Sequence, residues 1–554
     1  MRLVCIAAVV PLGAWCLRPS PAPGSVAYAT QQDGALGRGA FLDSDWRQAY
    51  VSVDAAGYER EVGVEATQGA IPEDLRGTLY RCSPGNFERG GERYKHVLDG
   101  DGFVLRVDVR DGGATVNGRF VETPAFREER EADKVLYRNT FGTQPKEGNF
   151  LNANLKNVAN TNCVAHGGRL LALWEAGAPF ELDTVTLETL GEATDLVRDC
   201  TSVRGVTLDG GGDLDDTLGF GDAHTAHPHV DPATNSLVSF TWAQQPITGD
   251  MRLAFTEKDE HWRDTKDPVR LSMAGCTLAP HDFGLTERYH VVVENRMTMD
   301  MAAFALGFKG PAQALEMDTS NGARVHLVPR GGGGPPVVVD IPPFFCIHVG
   351  LAYDSEDGTV SIITSGWDLE DEAEFPGGDK VPFLGSWSGD APDFDRIPPT
   401  WLFETVVDPA SARLVSHGVL AGAEKMCIEH PHHDPRTATP KYVFASLCND
   451  VGVSSPPQGY AKFDLSGDEA PVLWYAPGGR AFCEELVVVP KASADDRDDA
   501  VWLLGLAYDP EADETSLLVL DGADLAHGPV ATVPLPRPIP HGLHGCFAQD
   551  PPHT

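Results

Sequence analysis

Strand-turn-strand signals recur along this chain from about residue 60 to residue 545, and no other feature constrains the fold as strongly. Residues 104–109 and 115–120, for example, flank a polar turn, and residues 237–242 follow a turn rich in Asp, Pro and Asn. Short runs of Val, Leu and Thr between such turns are typical of β-strands. Helical periodicity is weak, and its best candidate, residues 299–315, is interrupted by Gly and Pro. We therefore expect an all-β fold, either a propeller or a very large sandwich.

Composition and charge narrow the class of protein. The 554 residues are 42% hydrophobic and 22% charged, which is enough to bury a large core. The formal net charge is −38. Nucleic-acid binding and docking on anionic lipid both depend on clusters of Lys and Arg, so this charge argues against both. No linker rich in Pro, Gly or Ser divides residues 60–545, so residues 31–554 are interpreted as one domain. We expect no nucleic-acid partner.

The N-terminus resembles a targeting segment. Residues 3–17 are uncharged and mostly apolar, a length that suits a signal peptide better than a membrane span. Residues 18–32 contain no acid and several Ser, Pro and Ala, as in a transit peptide. Residues 1–30 are therefore interpreted as a presequence for the plastid (chloroplast), with secretion into the ER lumen as the alternative. The cysteines that follow the predicted presequence are scattered singly, which favours a reducing compartment and buried thiols.

Seven polar residues recur along the chain in strand-like contexts, and they are chosen partly for their match to the motifs of a known family. Their spacings run from 52 to 81 residues, close to the length of one propeller blade with insertions. Because the inner strand of each blade lines the central axis, one residue from each of seven blades could meet there. The seven are four histidines, His227, His281, His348 and His544, and three glutamates, Glu175, Glu429 and Glu485.

Four neutral imidazoles around one axis suit a divalent transition metal. The three glutamates then serve as acceptors for imidazole N–H groups, which fixes the tautomers and balances charge without contact to the metal. The neighbouring His430, His432 and His433 also resemble a metal cluster, but their spacing in a Pro-broken segment indicates a loop. We therefore leave them out of the predicted site, and we find no Walker, GxSxG or HExxH motif.

The signatures together resemble the carotenoid cleavage oxygenase family, from about Trp46 to Phe547. Each signature is weak alone, whereas their order and spacing together are specific. They include Gly69-Ala70-Ile71-Pro72, Leu75-Arg76-Gly77-Thr78-Leu79-Tyr80-Arg81, His96-Val97-Leu98-Asp99-Gly100, Leu173-Trp174-Glu175, Ala226-His227-Pro228, His281-Asp282-Phe283 and Pro540-His541-Gly542-Leu543-His544.

The resemblance implies a seven-bladed β-propeller with a helical cap over the metal-bearing face. A single Fe(II) cofactor would be held by His227, His281, His348 and His544, with Glu175, Glu429 and Glu485 behind them. The implied reaction is cleavage of a conjugated C=C bond of a carotenoid or apocarotenoid by O2, giving two carbonyl products. Two alternatives remain: an isomerase or stilbene-type olefin cleavage on the same fold, and a non-catalytic or calcium-dependent binding propeller.

A polyene substrate implies an apolar tunnel and contact with a membrane. The aromatic residues nearest the signatures are Phe103, Trp174, Phe283 and Phe345, and we predict that they line the tunnel. The apolar segment between Met297 and Phe308 is the predicted site of peripheral, monotopic membrane contact. Because of the acidic net charge, that contact would be hydrophobic and suited to uncharged lipids.

Overall fold

A computed structural model describes residues 41–152, 154–197, 223–244, 250–371, 380–384, 392–394, 396–492 and 497–549. The presequence predicted at residues 1–30 lies outside these residues. Within them, seven antiparallel sheets of four to six strands form the blades of a β-propeller. The predicted all-β fold is confirmed, and the propeller rather than the sandwich is the correct architecture.

The blades are numbered here in chain order, each with its strands. Blade 1 contains Val62–Val64, Gly77–Asn86, Asp101–Arg110, Gly113–Phe120 and His544–Gln549, and blade 2 contains Asn162–His166, Arg169–Leu173, Phe180–Leu182 and Thr189–Glu192. Blade 3 contains Ala223–His224, His229–Asp231, Ser236–Gln244, Met251–Lys258 and Val269–Met273, and blade 4 contains Gly284–Leu285, Tyr289–Glu294, Arg324–Pro329 and Val337–Asp340.

The second half of the chain completes the ring in the same way. Blade 5 contains Phe344–Asp354, Val360–Asp368, Trp401–Asp408 and Arg413–Val419, and blade 6 contains Cys427–His432, Tyr442–Asn449, Gly459–Asp464 and Val472–Tyr475. Blade 7 contains Phe482–Cys483, Val487–Pro490, Val501–Asp509, Glu514–Asp521 and Pro529–Pro534, together with Gln68–Gly69 from the start of the described chain.

Hydrophobic side chains join each blade to the next. One cluster packs Leu79 and Val107 of blade 1 against Leu504 and Val519 of blade 7. Similar clusters join the other neighbouring pairs around the ring. Because each sheet is covered on both faces, inner strands are buried almost continuously, as in Gly77–Asn86. This packing makes the ring one structural unit.

Both ends of the described chain close the ring. His544–Gln549 pairs antiparallel with Gly77–Asn86, with Cys82 opposite His544. Gln68–Gly69 pairs with Pro529–Pro534 in blade 7. Closing the circle in this way protects the edges that an open sheet exposes. It also brings His544, from the end of the chain, next to blade 2.

Insertions between the blades carry short helices and two small sheets. In the described residues, the helices are α1 (Asp43–Gln48), α2 (Pro124–Ala132), α3 (Met301–Ala305) and α4 (Pro311–Ala314), and the 3-10 turns are Ala55–Gly57, Val97–Asp99, Thr194–Leu196 and Gly522–His527. The small sheets contain Glu88–Arg89 with Glu92–Arg93, and Met297–Met299 with Leu315–Asp318 and Lys380–Pro382. Trp46 of α1 packs on His541 with ring centroids 5.4 Å apart. The helix α1 therefore lies beside the strand that carries His544.

Among the described residues, the cysteines are free thiols and nearly all are buried, as their scattered spacing predicts. All eight cysteines in the described residues are unpaired, and each of them except half-buried Cys546 is buried. Burial raises the pKa of the Cys276 thiol to about 12, and Glu294 adds to this effect. Thiols of this kind are neutral at physiological pH and pack as small hydrophobic groups.

Candidate metal centre

The seven residues singled out from the sequence come from seven different blades. Each lies at or next to a blade strand, where backbone pairing fixes its position. Glu175 follows Arg169–Leu173 in blade 2, His227 precedes His229–Asp231 in blade 3, and His281 precedes Gly284–Leu285 in blade 4. His348 lies within Phe344–Asp354 of blade 5, and Glu429 lies within Cys427–His432 of blade 6. Glu485 precedes Val487–Pro490 in blade 7, and His544 begins the closing strand of blade 1.

The four imidazoles meet at one point. One ring nitrogen from each of His227, His281, His348 and His544 lies within 4.8 Å of the others. The ring centroids of His227 and His281 are 4.4 Å apart, and those of His227 and His544 are 4.6 Å apart. The two Nε2 atoms of His281 and His348 are 3.1 Å apart. The fold therefore brings together the four histidines that the sequence singled out.

Each glutamate holds the outer nitrogen of one imidazole. Glu175 lies 2.7 Å from His281 Nδ1, and Glu485 lies 2.8 Å from His544 Nδ1. Glu429 lies 3.0 Å from His348 Nδ1. A carboxylate accepts hydrogen bonds, so Nδ1 carries the proton in these three rings. The lone pair of each Nε2 is then left to face the centre.

This donor set fits a divalent transition metal ion. The Nε2 atoms of His281 and His348 are 3.1 Å apart, so with both Nδ1 atoms protonated either a proton or a metal cation lies between them. The buried Nε2 of His227 has no hydrogen-bond partner among the described residues. Two imidazoles at roughly 2.1 Å from one ion, at right angles, have nitrogens about 3 Å apart. Imidazole nitrogens suit iron, zinc, copper or nickel, whereas calcium takes oxygen ligands, so this site does not fit calcium.

The outer glutamates and His227 have charge states that suit a metal ion, whereas the effect of burial on His281 is outweighed by Glu175, which raises the pKa of His281 and favours its protonated form when no metal is bound. Burial opposes ionisation of Glu429, but the hydrogen bond and charge of His348 outweigh it and lower the pKa of this carboxyl group to about 2. Burial and the three neighbouring imidazoles hold the pKa of His227 well below its ordinary value. The outer carboxylates are therefore ionised and His227 is neutral, as metal ligation requires.

Further side chains around Glu485 and Glu429 were not predicted as site residues. Glu485 also accepts hydrogen bonds from His432 Nε2 at 2.8 Å and from Arg81 Nη1 at 3.2 Å. Ser365 Oγ donates to Glu429 at 2.7 Å. Arg81 stands in one of the sequence signatures, which was the available signal for it. His432 belongs to the histidine cluster that we left out of the predicted site, and Ser365 carried no sequence signal, because it reaches Glu429 only where blade 5 packs beside blade 6.

The segment from Glu429 to His433 corrects one expectation. We predicted a loop, but Cys427–His432 is a strand that pairs with Tyr442–Asn449. The register shifts between Glu429 and His432, so His430 and Pro431 form a bulge within the strand. Pro431 interrupts the hydrogen-bond ladder without ending the strand, because pairing resumes at His432. Both His430 and His432 thereby lie near the centre.

The predicted tunnel residues divide into two pairs. Phe103 and Phe283 have no exposed surface, since Phe103 packs on Tyr58 and Phe120 and Phe283 packs on Phe240. Both pack among core residues of the propeller, and their role in a tunnel stays a prediction. Trp174 and Phe345 keep 7% and 5% of their surface exposed, and for them the tunnel role also stays a prediction.

Comparison with known proteins adds an independent finding. The profile of the family described as "Retinal pigment epithelial membrane protein" matches residues 54–549. The chain is 29% identical to the apocarotenoid-15,15'-oxygenase of Synechocystis sp., covering 92% of this chain and 97% of the relative. It is 28% identical to an isoeugenol monooxygenase of Pseudomonas nitroreducens, covering 87% and 94%. A crystal structure of cobalt-substituted Synechocystis ACO superposes with a TM-score of 0.78 at 29% identity, covering 92% of this chain and 99% of that one.

Proposed function

Because this chain belongs to the carotenoid cleavage oxygenases, the family of the retinal pigment epithelial membrane protein, and is an oxygenase, we propose that it uses Fe(II) and O2 to cleave a carotenoid or apocarotenoid. One conjugated C=C bond and the O–O bond break, and two C=O bonds form. Both oxygen atoms enter the products, so no further reductant is needed. The observation that carries this proposal is the meeting of four histidine nitrogens in front of three ionised glutamates.

His227, His281, His348 and His544 would hold the iron, which supplies the reactivity toward O2 that amino-acid side chains lack. Glu175, Glu429 and Glu485 retain the Nδ1 protons and fix the orientation of three rings. The ring of blades keeps the imidazoles largely out of bulk water, which protects reactive species from side reactions. No side chain has to act as an acid, a base or a nucleophile, since the products gain only oxygen.

The isoeugenol monooxygenase relative favours a second candidate. Isoeugenol carries a side-chain olefin conjugated with an aromatic ring, so the same four histidines could serve the cleavage of an aryl olefin. This candidate corresponds to stilbene-type cleavage on the same fold. It differs from the first candidate in the substrate and not in the metal centre.

Pigment bleaching tests the reaction. Residues 31–554 are expressed in bacterial strains that accumulate different carotenoids, and products are identified by mass spectrometry after growth in ¹⁸O2. We expect loss of colour in at least one strain and labelled oxygen in both carbonyl products. Isoeugenol and a stilbene are supplied to the purified protein in parallel. Cleavage of these alone would favour the second candidate, and no cleavage of any olefin would contradict both.

Metal analysis tests the centre separately. The purified protein should contain about one iron per chain, and His281→Ala should lose both the iron and the activity. His417→Ala in the outer strand of blade 5 serves as the matched control, because His417 hydrogen-bonds Thr405 of the neighbouring strand and lies away from the centre. A protein that is active without bound metal, or a His281→Ala variant that retains both properties, would contradict the proposal.

We also propose contact with an uncharged lipid surface at an apolar patch, defined as residues 150–151 and 301–308. Phe150, Leu151, Met301 and Phe308 are each more than half exposed, up to 74% for Phe308. The backbone N–H of Leu151 donates to Ala305 O at 2.8 Å, so the two segments are adjacent. In the described part of the chain, no helix is long and apolar enough to cross a bilayer. A patch of this kind suits monotopic contact with a source of apolar substrate.

Co-sedimentation with phosphatidylcholine vesicles tests this contact. We expect binding that salt does not weaken, and a loss of most of it in the double variant Phe150→Ser, Phe308→Ser. Leu190→Ser is the matched control, because Leu190 is similarly exposed on an outer strand of blade 2. Equal binding of all three proteins, or binding only to anionic vesicles, would contradict this proposal.

Location in the plastid is proposed from the composition of residues 1–32 and supported by a related chain. The chain is 26% identical to the rice protein named carotenoid cleavage dioxygenase 8 homolog B, chloroplastic, and the match covers 95% of this chain and 90% of the rice protein. Fusion of residues 1–32 to a fluorescent protein in a plastid-bearing cell tests this. Plastid fluorescence is expected, and export to the medium would favour secretion.

A further inference from the structure

His430 lies beside the metal centre in an unusual backbone conformation. Its φ is +51°, in the left-handed region that residues other than glycine rarely occupy. It stands in the bulge between Glu429 and His432, where the strand register shifts. Successive side chains in a regular strand point to opposite faces, whereas a bulge redirects one of them. The bulge lets Glu429 and His430 approach the same centre.

Three contacts place the His430 ring at the centre. Its centroid is 5.0 Å from that of His348 and 5.4 Å from that of His544. One of its ring nitrogens lies within 4.8 Å of ligand atoms of His348 and Glu429. His430 is not in the group formed by the four mutually close histidines. It is therefore a fifth imidazole next to the predicted ligands rather than one of them.

Nothing in the described structure explains why a polar ring occupies this position. The buried Nδ1 of His430 has no hydrogen-bond partner among the described residues. The backbone N–H of His430 donates to Glu429 at 3.1 Å, a bond that any residue except proline could supply. Strained backbone and an unsatisfied buried nitrogen both destabilise a fold, and such features persist where function requires them.

We propose that His430 hydrogen-bonds a small ligand, water or O2, that enters the centre on the side of His348 and His544. This inference rests on the proposed metal centre and adds a specific polar contact to it. Four imidazoles leave room on an ion that accepts further ligands. His430 lies against two of those imidazoles and has an unused nitrogen, whereas Glu175, Glu429 and Glu485 are committed to ring N–H groups.

Azide binding to the cobalt-loaded full-length protein tests the contact without measuring turnover. Azide is a small anion that can accept a hydrogen bond, and its binding changes the visible spectrum of Co(II). His430→Phe keeps a ring but removes both nitrogens, His430→Gln keeps a donor, and His417→Phe is the matched control in blade 5. We expect equal cobalt content in all proteins. Azide should bind about tenfold more weakly to His430→Phe, the effect of one hydrogen bond, and more tightly to His430→Gln than to His430→Phe.

The outcomes separate this inference from the proposed function. Equal azide affinity of wild type and His430→Phe would overturn the role of His430 and leave the metal centre intact. Loss of cobalt from His430→Phe would indicate that His430 is a metal ligand and would also overturn its proposed role in binding a small ligand. Failure of the wild type to bind cobalt would overturn the centre itself. If His430→Phe does not fold, His430→Gly, which accepts a left-handed backbone and has no side-chain donor, gives the same comparison.

Discussion

The three glutamates of the centre differ in burial and in the number of groups they hold. The Glu485 side chain is 5% exposed and accepts hydrogen bonds from His544, His432, Arg81 and the backbone of Gly545. The Glu175 side chain is 41% exposed and pairs with His281. Glu485 holds four groups in place, whereas Glu175 holds the single imidazole of His281. The same residue type therefore contributes unequally at two positions.

Replacing these carboxylates by amides should weaken metal binding to different extents. Removal of such outer partners typically costs 10- to 100-fold in metal affinity. We expect a loss toward 100-fold for Glu485→Gln and toward tenfold for Glu175→Gln, measured by Co(II) competition with a chromophoric chelator. Glu404→Gln, in blade 5, should bind like the wild type. An equal or larger loss for Glu175→Gln would contradict this ranking.

A histidine away from the centre should make stability sensitive to pH. His290 of blade 4 is buried and stacks on Phe255 with ring centroids 4.3 Å apart. Burial lowers its pKa to about 3, although Glu257 partly opposes this. A folded-state pKa below the unfolded value stabilises the fold above pH 6.5, and this contribution is lost as the pH falls toward 3.

His290→Phe should remove that dependence and retain the stacking. Relative to pH 7.5, we expect the wild type to lose about 2 kcal/mol more of its unfolding free energy at pH 5 than the variant does. Denaturant unfolding of both metal-free proteins at the two pH values measures the difference. Parallel losses in the two proteins would show that His290 is not buried in its neutral form.

At the scale of elements, a buried ion cluster attaches α2 to blade 1. Lys156 Nζ pairs with Glu129 of α2 at 2.7 Å and with Asp101 of blade 1, and all three side chains are buried. Glu129 also accepts the backbone N–H groups of Leu136 and Tyr137. An inserted helix and a blade strand are thus joined through one cation between two carboxylates.

Removal of that cation should be strongly destabilising. Lys156→Met leaves Asp101 and Glu129 buried without their shared partner, and breaking a buried pair in this way costs about 3–5 kcal/mol. The midpoint of denaturant unfolding should fall accordingly. Lys146→Met, which removes an exposed pair with Glu92, is the control and should change the midpoint little. Similar small changes in both variants would contradict the structural role of the cluster.

At the scale of the whole molecule, the four histidines come from blades 1, 3, 4 and 5, so one bound ion would connect distant parts of the ring. A ligand that binds only the folded state stabilises it by mass action, about 4 kcal/mol at a thousand times its dissociation constant. Metal binding should therefore stabilise the propeller as a whole and not only one blade.

Chelation should accordingly lower the thermal unfolding temperature of the whole domain. We expect a decrease of several degrees on removal of the metal, recovery on addition of Fe(II) or Co(II), and no response in His281→Ala. Calorimetry should show a shift of the entire transition. A chelator effect that persists in His281→Ala would locate the stabilising ion elsewhere.

Much of the fold and of the centre was predictable because the signals are local. Each hairpin carries its own turn residues and apolar strand, so hairpins repeated without a linker indicate a propeller or a very large sandwich before any long-range contact is known. The histidines and glutamates stand in short motifs whose spacing follows the length of a blade. The resemblance to a family assigned roles to those seven residues.

The remaining features depend on contacts between residues far apart in the chain. Arg81 reaches Glu485 across the closure of the ring, and Ser365 reaches Glu429 from a neighbouring blade. Phe103 and Phe283 gave the same sequence signal as Trp174 and Phe345, yet only the latter two keep some exposed surface. Burial depends on which neighbours surround a side chain, and that is not encoded in its local motif.

The sequence by itself determined the strand pattern, the repeat length and the residue types available for a metal centre, because these depend on local propensity and spacing. Only the tertiary structure decided that blade 1 is closed by the last described strand, and that a bulge brings His430 to the centre while His432 reaches Glu485. The physical reason is register: a shift in strand pairing changes the face on which a side chain lies, and register is fixed by packing against the neighbouring blades.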